Sequence, residues 1–84
     1  MAILVVDDDR NIRSLIEEIL RSDGYEDIQC AESGREALEL IVAGDERFST
    51  IFLDIQMPEM DGIELCGHLR ALPEYRQTPI IMLT

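Results

Sequence analysis

Four aspartates stand where chemistry is easiest to build. Asp7, Asp8 and Asp9 follow an apolar run at the start of the chain, and Asp54 stands near the end of a second run, ahead of Ile55, Gln56, Met57 and Pro58. A further apolar run closes on Thr84. Taken singly, an Asp after a strand caps a helix or shapes a turn, and Asp9 is read that way. Asp7, Asp8 and Asp54 gain a different meaning if their strands are neighbours. Two carboxylates about 5 Å apart repel by roughly 3 kcal/mol at an effective dielectric of about 20. Three together remove much of a small domain's stability. Such a cluster holds either a proton at raised pKa or a hard cation. Oxygen ligands, few in number, suit Mg²⁺ with several retained waters, and a backbone carbonyl after Asp54, at Gln56, can complete the shell.

These residues need elements to carry them. Ala2–Val6 (AILVV) has the pattern of a strand buried on both faces. From Arg10 onward Ile12, Leu15, Ile16, Ile19 and Leu20 recur at helical spacing, with Asp9 as N-cap and Gly24 as stop. Ile28–Ala31 reads as a weaker strand. Ser33 and Glu36 form a Ser-x-x-Glu capping box ahead of Ala37, Leu38, Ile41 and Val42, and Gly44 closes that helix. Residues 50–55 (TIFLDI) read as a central strand, and Pro58 and Gly62 bracket a loop. Ile63, Leu65, Cys66, Leu69 and Leu72 suggest a third helix ended by Pro73, and residues 79–83 (PIIML) a fourth strand.

The order βαβαβαβ specifies an α/β fold with a parallel sheet, right-handed crossovers and helices on both faces. In open sheets of this kind the functional crevice lies beyond the carboxyl ends of the strands, where strand order reverses. Asp7, Asp8, Asp54 and Thr84 all fall at such ends. Three helices serve four strands, so apolar sheet surface is expected to be left bare or covered by another chain. His68, four residues after Glu64, reads as a surface residue. Cys30 and Cys66 read as small apolar fillers, and Met57 and Met60 as packing around the loop.

Composition bounds the rest. With 84 residues, 46% of them hydrophobic, the chain is read as one packed domain over residues 1–84. Two cysteines are too few for a disulfide framework, and no leader or membrane-spanning run is visible, so a cytoplasmic location is expected. Asp and Glu number 18 against seven Arg and no Lys, a net charge of −11. That balance repels phosphate backbones and anionic membranes, which speaks against nucleic-acid or membrane binding. It favours divalent cations and basic protein surfaces.

The stretches ILVVDDD (3–9), IFLDIQMPEMDG (51–62) and PIIMLT (79–84) closely resemble the receiver domain of two-component response regulators. The middle stretch is the specific one: an apolar strand, an Asp, then Met-Pro-x-Met-Asp-Gly. The resemblance implies a flavodoxin-like (CheY-like) doubly wound parallel sheet of strand order 2-1-3-4. It also implies a domain truncated after the fourth strand, without the family's fourth helix, fifth strand and fifth helix. Asp54 would be the phosphoacceptor, charged by a sensor histidine kinase or a histidine phosphotransfer domain. Asp7, Asp8, Asp54 and the Gln56 backbone carbonyl would hold Mg²⁺, and Thr84 would be the switch hydroxyl. The family's fifth strand ends in a Lys that neutralises phosphoryl oxygens, and this sequence has no Lys. A phosphoryl group adds about −1.5 to −2 of charge, so slow or absent phosphotransfer is expected from this chain alone. Ile80 to Leu83 would form an exposed apolar edge, and a homodimer through that strand or through the uncovered face beside the first helix is expected as the rival of a monomer.

Two other readings compete. One is a receiver-like protein-interaction or dimerisation module that takes no phosphate, favoured by the missing Lys and helices. The other is a metal-dependent phosphohydrolase, because Asp7-x-Asp9 resembles the nucleophile and acid/base pair of haloacid-dehalogenase phosphatases. That family wants Thr or Val where Asn11 stands, and a later Lys, so the chain is read as a signalling domain and not an enzyme.

Overall fold

The structure, a computed structural model, describes residues 2–44 and 47–83. Strand β1 (Ala2–Val6) leads to helix α1 (Arg10–Ser22), followed by β2 (Ile28–Ala31), α2 (Gly34–Ala43), β3 (Phe48–Asp54) and α3 (Gly62–Arg70). A 3₁₀ turn (Pro73–Tyr75) and β4 (Ile80–Leu83) follow. All pairings are parallel and the sheet order is β2-β1-β3-β4, the order that the resemblance implied.

Register brings the acids together. Val6 pairs with Leu53 across β1 and β3, so the next residues, Asp7 and Asp54, emerge side by side. Asp54 pairs in turn with Leu83 on β4. One face of the sheet is a closed core. Leu4, Val6, Ile51 and Leu53 pack there with Ala37 and Ile41 of α2 and Leu65 and Leu69 of α3. Fully burying each such side chain is worth about 1.5–3 kcal/mol, and this face fixes the strand ends.

The other face is only partly covered. Ile3 and Val5 are buried, yet α1 contributes no buried residue, and Leu15, Ile19 and Ile81 are 53%, 57% and 44% exposed. A trough of about 620 Å³ runs beside α1, lined by Ile3, Leu20, Tyr25, Phe52 and Ile81 among others. The bare apolar sheet surface expected from three helices on four strands is therefore present, and β4, like β2, is an edge strand.

Several boundaries differ from the sequence reading, among them the end of β3 at Asp54 and the start of β4 at Ile80. β3 begins at Phe48 rather than residue 50, because the Tyr75 hydroxyl accepts the Phe48 N–H (3.1 Å) and the Phe48 ring is buried. Phe48 pairs with Ala2, and the register then shifts between Ala2 and Ile3. α3 ends at Arg70, and Pro73 opens the 3₁₀ turn rather than merely stopping a helix, which suits its fixed φ and missing N–H. Arg70 secures that turn: its Nη1 donates to the carbonyls of Tyr75, Arg76 and Thr78 at 2.9, 3.0 and 2.8 Å.

Candidate functional site

β1 delivers Asp7 into a tightly bonded turn. The Asp7 N–H donates to the Ala31 carbonyl of β2 (3.1 Å), and its Oδ1 accepts the Asp9 N–H (2.9 Å). Asp9 caps α1 by accepting the Asn11 N–H at 2.8 Å, as the sequence suggested. From the end of the first turn of α1, Arg13 reaches back and donates Nη1 to the Asp7 carbonyl oxygen at 2.7 Å.

β3 delivers Asp54, whose Oδ1 accepts the Gln56 N–H at 3.2 Å. The loop after it folds back so that the Gly62 N–H donates to the Ile55 carbonyl (2.8 Å). Gly62 lies so close to this turn that a Cβ there would collide with the Asp54 carbonyl oxygen. Met57 is buried, and Met60 packs against Gly34 at the start of α2. Both methionines therefore hold the loop, as expected. Asp61 caps α3 by accepting the Glu64 N–H (2.8 Å).

One carboxylate oxygen from each of Asp7, Asp8 and Asp54 lies within 4.8 Å of the others. Asp7 is buried, Asp54 half-buried and Asp8 exposed. They line a cleft of about 610 Å³ together with Gln56, with Ile12 of α1 and Met82 of β4 among its walls. Burial raises the Asp7 pKa above its ordinary value, and the charges of Asp54 and Asp8 add to that; the Asp9 N–H opposes it. Three convergent carboxylates, one buried, fit a hard divalent cation: all donors are oxygens and the site is self-repelling without a counter-charge.

Asp7, Asp8 and Asp54 are thus brought together, and Gln56 borders the same cleft. Thr84 lies outside the described residues. His68 is a surface residue, 3.9 Å from Glu64. Cys30 is more than an apolar filler, since its thiol donates to Glu17 Oε1 (3.5 Å) and burial pushes its pKa up. Sequence reasoning passed over Arg13 and the close approach of Gly62. The Asp61-Gly62 pair after the loop was the available signal for the second, whereas nothing in the spacing from Asp7 to Arg13 marks a side chain aimed backwards.

Comparison with known proteins bears directly on this arrangement. The family model for the response regulator receiver domain matches residues 3–84. Transcriptional regulatory protein SrrA of Staphylococcus aureus is 46% identical over 82 residues, covering 98% of this chain and 32% of SrrA. The chain therefore spans about a third of that relative's length. Among solved structures, chemotaxis protein CheY4 of Vibrio cholerae is 38% identical with a TM-score of 0.85, over 96% of this chain and 65% of that one. A structure of histidine kinase ThkA in complex with response regulator TrrA matches at 41% identity and a TM-score of 0.85, over 99% of this chain and 67% of that one.

Proposed function

This chain belongs to the response regulator receiver domain family, and from that membership we propose that it accepts a phosphoryl group on Asp54. The donor is the phosphohistidine of a sensor histidine kinase or a histidine phosphotransfer domain, and the setting is the cytoplasm. Asp7, Asp8, Asp54 and the Gln56 backbone carbonyl hold Mg²⁺, and Thr84 supplies the switch hydroxyl. The observation that carries the reading is the approach of the Asp7, Asp8 and Asp54 oxygens to within 4.8 Å of one another at the carboxyl edge of the sheet. The kinase-bound structure of a similar protein supports the choice of partner.

Asp54 acts as the nucleophile. Its Oδ1 is occupied by the Gln56 N–H, which orients the carboxylate and leaves the other oxygen for attack on phosphorus. A new O–P bond forms as the P–N bond to the imidazole breaks, and the electron pair returns to the ring nitrogen. When bound, the cation offsets the charge on the phosphoryl oxygens, without which one anion would have to attack another. Asp7 and Asp8 hold that ion, with the Asp7 carboxylate anchored by the Asp9 N–H. The outcome is one acyl phosphate per chain: a switch, not a turnover cycle.

The test is intact mass after incubation with Mg²⁺ and a small phosphoryl donor, beside an Asp54→Asn control and a chelated sample. One slow, alkali-labile phosphoryl gain in the unsubstituted chain, impaired by the missing Lys and absent from both controls, is expected. A folded chain that gains nothing would point to the second reading, a receiver-shaped interaction module that pairs with another copy. What favours that second reading is the exposed apolar face formed by Leu15, Ile19, Tyr25 and Ile81.

A further inference from the structure

We infer that Arg13 is a positioning residue for the metal-holding acids, acting through the peptide that joins two of them. The Asp7 carbonyl oxygen that accepts its Nη1 (2.7 Å) belongs to the peptide plane between Asp7 and Asp8. That plane is rigid, so its orientation sets how the Asp8 carboxylate is presented relative to that of Asp7. Asp7 itself is held on the other side of its Cα, where its N–H in the preceding peptide donates to the Ala31 carbonyl, and at its side chain, where Oδ1 accepts the Asp9 N–H. On the Asp8 side the residue is exposed, and the hold comes from Arg13. The Arg13 backbone is fixed as well, because its main-chain N–H donates to the Asp9 carbonyl at 3.1 Å within the first turn of α1. Among the described residues Arg13 forms no ion pair with a carboxylate. Its guanidinium is therefore directed at the backbone and not at neutralising the cluster.

This inference rests on the metal site proposed above, and its sign separates it from the alternatives. An arginine that is only a nearby positive charge would repel a cation, so removing it would tighten Mg²⁺ binding. An arginine that only staples α1 to β1 would change melting and leave the affinity of the folded protein unchanged. Positioning alone requires weaker binding in a chain that is still folded.

The experiment is a Mg²⁺ titration of the whole chain followed by amide chemical shifts and calorimetry, with melting in chelator recorded in parallel. Arg13→Met is expected to bind Mg²⁺ about tenfold more weakly, the effect usual for groups that orient metal ligands. Arg13→Lys, which keeps a donor for the same carbonyl, should stay within about threefold of the unsubstituted chain by the same reasoning. Equal or tighter binding by folded Arg13→Met would overturn the inference, whatever its melting temperature. If circular dichroism shows Arg13→Met unfolded, Arg13→Ala, which likewise lacks a side-chain donor, is read by the same rule. An unsubstituted chain that shows no saturable Mg²⁺ binding defeats the metal-site reading itself, and the inference with it; that failure is told apart because it appears before any substitution is made.

Discussion

Asp7 carries the electrostatic conflict of the site in one side chain. It is 4% exposed, faces two other carboxylates, and its pKa lies above the ordinary 3.8 chiefly through burial. A carboxyl with a raised folded pKa contributes stability that is fully present below the unfolded pKa and is lost as pH rises through the folded value. Without metal, ionisation of Asp7 as pH rises therefore works against the fold. Asp7→Asn keeps the oxygen that accepts the Asp9 N–H and removes the charge. It is expected to stabilise the chain by about 1 kcal/mol at pH 7 in chelator, against a pairwise repulsion several times larger before relaxation. That advantage should shrink towards zero below the ordinary carboxyl pKa, where Asp7 is protonated. Denaturant titrations of both chains at the two pH values check it, and an equal difference at both would refute the assignment. The same substitution should abolish stabilisation by added Mg²⁺, because the gain depends on binding to the folded state alone.

The loop between β3 and α3 is where the element scale decides geometry. Gly62 tucks its backbone against the Asp54 carbonyl and donates to Ile55, so the start of α3 rests directly on the peptide of Asp54, the proposed phosphoacceptor. Gly62→Ala puts a methyl group into backbone that has no flexible end to yield. A loss of about 2 kcal/mol is expected, within the range for forced overpacking, together with loss of phosphoryl uptake in the mass experiment. A variant as stable and as reactive as the unsubstituted chain would show that the loop can shift freely. The acid cluster itself was legible in the sequence, because each carboxylate sits at or just past the end of an apolar run and the strand order implied by the receiver-domain resemblance makes β1 and β3 neighbours. The caps at Asp9 and Ser33 were legible for the same local reason: their partners lie two and three residues away. The early start of β3 and the 3₁₀ turn were not. They depend on Tyr75 reaching Phe48 across 27 residues and on Arg70 gathering three carbonyls after its helix has ended. Arg13 was hidden likewise, since a polar residue on an amphipathic helix looks the same from sequence whether it faces solvent or turns back to a strand end.

For the whole molecule, two forces set what one copy does to another. The radius of gyration is 11.7 Å, close to the ~12 Å of a compact domain of this length. Leu15, Ile19 and Ile81, on the partly covered face beside α1, are therefore exposed on a packed fold and not on a loosened one. That face, with Leu15, Ile19 and Ile81 about half exposed, draws copies together through apolar burial. The net charge of −11 drives them apart, and only this second force is strongly screened by salt. At about 10 mM NaCl, where the screening length approaches ~30 Å, repulsion acts over the full width of the domain and a monomer is expected. At about 1 M, where it falls to ~3 Å, the apolar face prevails and the weight-average mass should rise with protein concentration. Leu15→Glu places a charge in the middle of the face and should hold the chain monomeric at both salt levels. Sedimentation equilibrium across this series reads the balance directly. A chain that stays monomeric at high salt would remove the support for the pairing module, while Leu15→Glu associating like the unsubstituted chain would move the contact away from α1 to the β4 edge.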